Sequence, residues 1–91
     1  MDLNEIRLEL DSIDSQIITL LNRRRQISGE VAAFKAPLGM EIYQPAREAQ
    51  ILERVQALSE VEPHGDMAEL YTLVLKQSRA IQQAVIDASN R

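Results

Sequence analysis

The chain has 91 residues, a formal net charge of −4 at pH 7, no Cys, no Trp and one His. That length suits one domain with a modest core. The missing Cys excludes disulfides, a thiolate nucleophile and a Cys-based zinc site, and the negative charge speaks against a nucleic-acid or anionic-membrane surface.

Apolar residues make up 45% but aromatics only 3%, and Gly and Pro number three each, which fits helices better than a twisted sheet. The expectation is an all-α fold in a single domain over 1–91. Met1-Asp2-Leu3-Asn4-Glu5 has no basic leader, and no apolar run approaches a membrane span. A soluble cytoplasmic protein without a membrane partner is expected.

The first helix is expected from Asp2 or Asn4 to Ala36, where Pro37 and Gly39 stop it. Leu3, Ile6, Leu10, Ile13, Ile17, Leu20, Ile27, Val31 and Phe34 recur at spacings of three and four, the seam of a helix packed on neighbours. At 1.5 Å per residue the rod spans about 50 Å, against about 30 Å for a compact domain of this size. Part of its seam would be bare in a monomer, so a second copy is the expected cover.

Position 24, where the seam needs an apolar residue, holds Arg24. A cation in that place either meets an anion, from the protein or from a ligand, or snorkels past the helix edge. Ser28, Val31 and Lys35 share its face, and Lys35 stands eleven residues on, close to three whole turns. Arg7 lies about 25 Å from Arg24 along the rod and reaches the same place only from an antiparallel second copy.

After a loop over 37–43, Pro45 fits the first position of a second helix ending near Ser59, with Ile51, Leu52, Val55 and Leu58 facing inward. Arg47 and Glu48 lie one turn before Ile51 and Leu52: either inward-facing or a local pair of exposed charges. Glu60 to Gly65 connect to a third helix reaching Ser89, and His64 in this turn-like segment suggests no metal or catalytic role. Asp66-Met67-Ala68-Glu69 has the form of a capping box with Asp66 as the cap. The helix's stripe is Leu70, Val74, Ile81 and Val85, interrupted by Ser78 and Gln82, which are either satisfied core polar groups or part of a site.

Arg24, Lys35, Arg47 and Arg7 around one space call for a ligand with at least two carboxylates or phosphates, and Arg suits planar carboxylates. There is no Gly-rich phosphate loop, no nucleophile backed by a base and no carboxylate pair placed for proton relay. An enzyme built this way works by holding and by electrostatics, and neither metal nor cofactor is expected.

The chain resembles the all-helical class of chorismate mutases over nearly its full length. The matching stretches are Ile6-Arg7, Leu10-Asp11-Ser12-Ile13-Asp14, Leu20-Leu21-Asn22-Arg23-Arg24, Lys35, Pro45-Ala46-Arg47-Glu48 and Gln77-Ser78-Arg79-Ala80-Ile81-Gln82. The ordered set with its spacing is specific. It implies an intertwined homodimer of three-helix chains, one helix very long, converting chorismate to prephenate on the way to phenylalanine and tyrosine. Arg24 and Arg47 would bind the two substrate carboxylates, helped by Ser78 and by Arg7 donated across the interface. Lys35 and Gln82 would meet the ether oxygen, and Glu48, with Lys35, the ring hydroxyl. Gln44 departs from the family at an often acidic position on the edge of the pocket.

The resemblance also admits a salicylate-forming isochorismate pyruvate-lyase, although Glu48 directly after Arg47 is mutase-like. A non-catalytic dimerisation or regulatory domain is the reading from another class, since mutase-like domains also occur fused to other pathway enzymes. Retention of the whole polar set speaks against it.

Overall fold

A computed structural model of the chain describes residues 2–59 and 65–90. Helix α1 spans Leu3–Lys35, a 3₁₀ turn follows at Ala36–Leu38, α2 spans Pro45–Leu58 and α3 spans Gly65–Ser89. Among the described residues there is no strand. The all-α expectation holds, and so do the helix bounds to within a residue or two. Among the described residues no helix is long and apolar enough to cross a membrane.

Local chemistry sets these bounds. Asp2 caps α1, its Oδ1 accepting the Glu5 N–H at 2.9 Å, and so satisfies one of the helix's orphan donors. At the other end Pro37 cannot continue the ladder, and the chain reverses at Gly39 with φ 64 and ψ 23, a left-handed conformation open to Gly without cost. Pro45 opens α2, where its missing N–H costs nothing. Gln44 occupies the cap position but makes no side-chain cap. Its Nε2 donates instead to the Glu41 carbonyl at 2.7 Å, closing the preceding loop.

Helix α3 begins at Gly65, so Asp66 lies inside its first turn rather than at the cap as expected. A carboxylate there still favours the positive end of the helix dipole. His64 and most of the connection before α3 lie outside the described residues.

Helix α3 packs against both α1 and α2. Against α3, α1 sets Ser28 and Ala32, both buried, while the expected seam residues Ile27, Val31 and Phe34 remain exposed. The packed stripe is therefore rotated by one residue from the apolar seam. Small side chains let the two helices approach closely: a Cβ on Gly29 would stand 3.7 Å from Val85 Cγ2, in ordinary contact. On α3, Leu75 is buried and Val74, Ile81 and Val85 are half-buried, whereas Leu70 is exposed. On α2, Ile51, Leu52 and Val55 are half-buried, but Leu58, expected inward, is exposed.

Among the described residues only Ala32 and Leu75 are buried apolar side chains. Leu75 contributes roughly 1.5–3 kcal/mol of burial, and the single chain has little else of that kind. It measures 54 × 26 × 14 Å with a radius of gyration of 16.6 Å, where a compact chain of this length would have about 12 Å. The excess is the amino-terminal half of α1, which extends past the other helices with Leu3, Ile6, Leu10, Ile13, Ile17 and Leu20 exposed.

Candidate active site

Where the three helices meet, a cleft of about 290 Å³ opens. Helix α1 supplies Arg24, Ser28 and Lys35; α2 supplies Arg47 and Glu48; α3 supplies Ser78, Arg79 and Gln82. Ile42 and Gln44 of the loop before α2 complete one side. Seven of the eight residues singled out from sequence therefore line one space. Arg7 does not: it is exposed on the free half of α1.

The spacing explains the convergence on α1. Arg24, Ser28 and Lys35 recur after four and seven residues, one and two turns, so one face carries all three. Arg24 is half-buried, its guanidinium carbon 5.7 Å from the centroid of the Tyr71 ring, a cation–π placement. Among the described residues no carboxylate pairs with it. The cation in the seam is thus neither in a dry core nor neutralised; it is presented to the cleft.

Arg47 lies at the exposed rim, and its Nη1 donates to Gln50 Oε1 at 2.8 Å. That bond fixes the guanidinium with most of its five N–H donors still open. Glu48, one residue on, turns inward instead. Its Oε1 is bound by Arg79 Nη1 at 2.5 Å, and the two side chains are 18% and 32% exposed. The two charges do not pair with each other, and they part ways: Glu48 turns inward to α3 as expected, whereas Arg47 stays exposed and is held locally on α2 by Gln50.

Lys35 and Gln82 stand side by side. Lys35 Nζ donates to Gln82 Oε1 at 3.3 Å and to the Ile42 carbonyl at 3.4 Å. An ammonium has three donors, so one stays free for a ligand. Its charge also decides the amide's orientation, because only Oε1 can accept from it, and Nε2 is left facing Ser78 Oγ at 3.4 Å. Ser78 and Ser28 share a hydrogen bond of 2.7 Å between buried hydroxyls, one donating and the other accepting. Ser78 and Gln82 are therefore satisfied polar groups of the helix packing and, at once, walls of the cleft.

Two residues that hold candidate site side chains are not singled out by the sequence. Tyr71, under Arg24, lay outside the stripe assigned to α3. Arg79 was read only as part of the Ser78–Gln82 stretch, although a half-buried Glu48 needs a cation and Arg79 follows directly on a site residue.

Chemically the cleft offers four cations, one carboxylate, two amides and two hydroxyls. Opposed Arg and Lys groups fit a compact dicarboxylate. No nucleophile here is backed by a base, so the arrangement can hold a ligand and stabilise developing negative charge, and little more.

The model of a protein family described as chorismate mutase type II matches residues 6–83. The chorismate mutase of Methanocaldococcus jannaschii is 28% identical over 87 residues, covering 93% of this chain and 88% of that protein. The bifunctional chorismate mutase/prephenate dehydratase of Aquifex aeolicus is 26% identical over 89 residues, and this chain spans 25% of its length. A crystal structure of chorismate mutase from Helicobacter pylori in complex with prephenate superposes with a TM-score of 0.82, at 30% identity and 93% coverage of both chains.

Proposed function

Because the chain belongs to the chorismate mutase type II family, we propose that it rearranges chorismate to prephenate, as an isomerase of aromatic amino acid biosynthesis. The observation that carries this is the convergence of Arg24, Arg47, Lys35, Glu48, Ser78 and Gln82 on one cleft in a fold similar to a prephenate-bound enzyme. In the reaction the ether C–O bond breaks as a C–C bond forms within the same molecule. No proton moves and no covalent intermediate is needed, which fits a cleft without a base or nucleophile.

Each side chain then has a part that its geometry permits. Arg24 and Arg47, on facing helices, would take the two carboxylates and fold the substrate toward its reactive conformer, an entropic and steric gain. Ser78 would assist one of them. Lys35's free N–H and Gln82's Nε2 would both meet the ether oxygen, where negative charge builds up as the bond breaks. A fixed donor at such a site contributes about 3–4 kcal/mol in other enzymes. Glu48's second oxygen, with Lys35, would hold the ring hydroxyl. Gln44, tied to the Glu41 carbonyl, would close the edge of the pocket without adding charge there.

The enzyme would act as an intertwined homodimer. Its support is the exposed seam on α1, from Leu3 to Leu20, which a second long helix would cover. Antiparallel pairing would carry Arg7 of each chain to the other's cleft, adding a cation to the carboxylate site. The relatives matched include both a protein of nearly this length and bifunctional enzymes four times longer, so the same domain serves either alone or fused.

Incubating the purified chain with chorismate and with isochorismate and identifying the products tests the reading. Prephenate from chorismate is expected. Salicylate and pyruvate from isochorismate, with chorismate untouched, would replace it by the lyase.

A further inference from the structure

The cleft holds a single carboxylate, Glu48, among four cations, Arg24, Lys35, Arg47 and Arg79. An unrestrained glutamate in such a place would fold onto the nearest cations, and each ion pair so formed would occupy a group that the substrate's carboxylates need. The structure avoids this. Glu48 Oε1 is taken by Arg79 Nη1, while Arg47 is held by Gln50, Lys35 by Gln82 and Ile42, and Arg24 by the Tyr71 ring.

Arg79 is itself fixed from a second side, its guanidinium carbon 5.2 Å from the centroid of the Tyr43 ring. Three separate elements therefore define one carboxylate position: α2 carries Glu48, α3 carries Arg79 and the loop before α2 carries Tyr43. In a partly buried ion pair the attraction is largely offset by the cost of desolvating both groups, so its net stabilisation is small. Its value lies in where it keeps the charge.

We infer that Arg79 is a positioning residue that holds Glu48 away from Arg24, Arg47 and Lys35, keeping those cations open for a dicarboxylate while Glu48's second oxygen stays free for the substrate hydroxyl. This rests on reading the cleft as a chorismate site. The sequence stretch that carries Ser78 and Gln82 thus has a third member with a different task.

A double-mutant cycle tests it: chorismate kinetics for the parent, Arg79→Gln, Glu48→Gln and the double variant, with Arg79→Lys as the conservative change. Removing Arg79 should raise KM about tenfold and lower kcat less, as Glu48 falls onto the substrate-binding cations. Arg79→Lys should recover most of that loss by restoring the opposing charge. With Gln at 48 the competing charge is gone, so losing Arg79 should then change KM by less than about twofold. An equal rise in KM in both backgrounds, no rise in either, or failure of Arg79→Gln to reach parental helix content by circular dichroism would each make Arg79 a merely structural or idle residue and overturn the inference. A parent inert toward chorismate overturns it together with the reading it rests on; an active parent with equal losses overturns it alone.

Discussion

Over residues 3–20, α1 leaves Leu3, Ile6, Leu10, Ile13, Ile17 and Leu20 between 42% and 69% exposed, whereas at the cleft Ser28, Ser78 and Gln82 are all under a tenth exposed. One end of the molecule is apolar and bare; the other is polar and buried. A single chain that folded for its own stability would do the reverse. On the proposed function each end answers to something outside the chain: a second copy for the seam, a small anion for the cleft. The two demands meet in Arg7, which lies on the bare half and has chemistry suited to the buried one.

Breaking the polar end should cost function and spare the fold. Arg24→Ala removes a guanidinium that pairs with no carboxylate among the described residues, so helix content should be kept while kcat/KM for chorismate falls by about a thousandfold, on the scale of a lost transition-state or carboxylate contact. Circular dichroism beside steady-state kinetics checks this. Unfolding at normal activity per folded molecule would make Arg24 structural.

Breaking the apolar end should do the opposite. Ile17→Glu puts a carboxylate into the face proposed for the second copy, and an unpaired charge buried there costs several kcal/mol. Sedimentation should show the mass fall from two chains to one, with lower thermal stability. Unchanged mass and melting would mean that this seam stays in water.

A milder change sharpens the contrast inside the cleft. Gln82 does not titrate, and no residue is required as a proton carrier, so the parent's rate should be nearly flat across neutral pH. In Gln82→Glu a carboxylate would accept from Lys35 and offer the ether oxygen no donor; protonation restores one. The variant should lose about one to two orders of magnitude at neutral pH and regain activity as pH falls. Parallel profiles for the two proteins would remove Gln82 from the reaction.

Much of this was legible in the sequence, and the reason differs by region. Helix ends were written in local chemistry: Asp2 as cap, Pro37 and Gly39 as stop, Pro45 as start. The gathering of Arg24, Lys35, Glu48, Ser78 and Gln82 followed from turn arithmetic on three separate helices and from the ordered family motifs. What a single helix cannot reveal is its rotation against a neighbour. That is why Ser28 and Ala32, rather than Ile27 and Val31, meet α3, and why Leu75 is buried while Leu70 and Leu58 are not. Pairs across helices were hidden for the same reason: Arg79 with Glu48 and Arg24 over Tyr71 join residues 31 and 47 positions apart.

Whether bare seam and polar cleft are two halves of one site is decided by mixing Arg7→Ala with Arg24→Ala. Each variant alone should be nearly inactive. After joint unfolding and refolding, random pairing makes about half the dimers mixed, and each mixed dimer has one site free of both changes if Arg7 crosses over. About a quarter of parental activity should return. Verified mixed dimers with no activity beyond that of the separate variants would place Arg7 outside the partner's cleft and contradict the shared site.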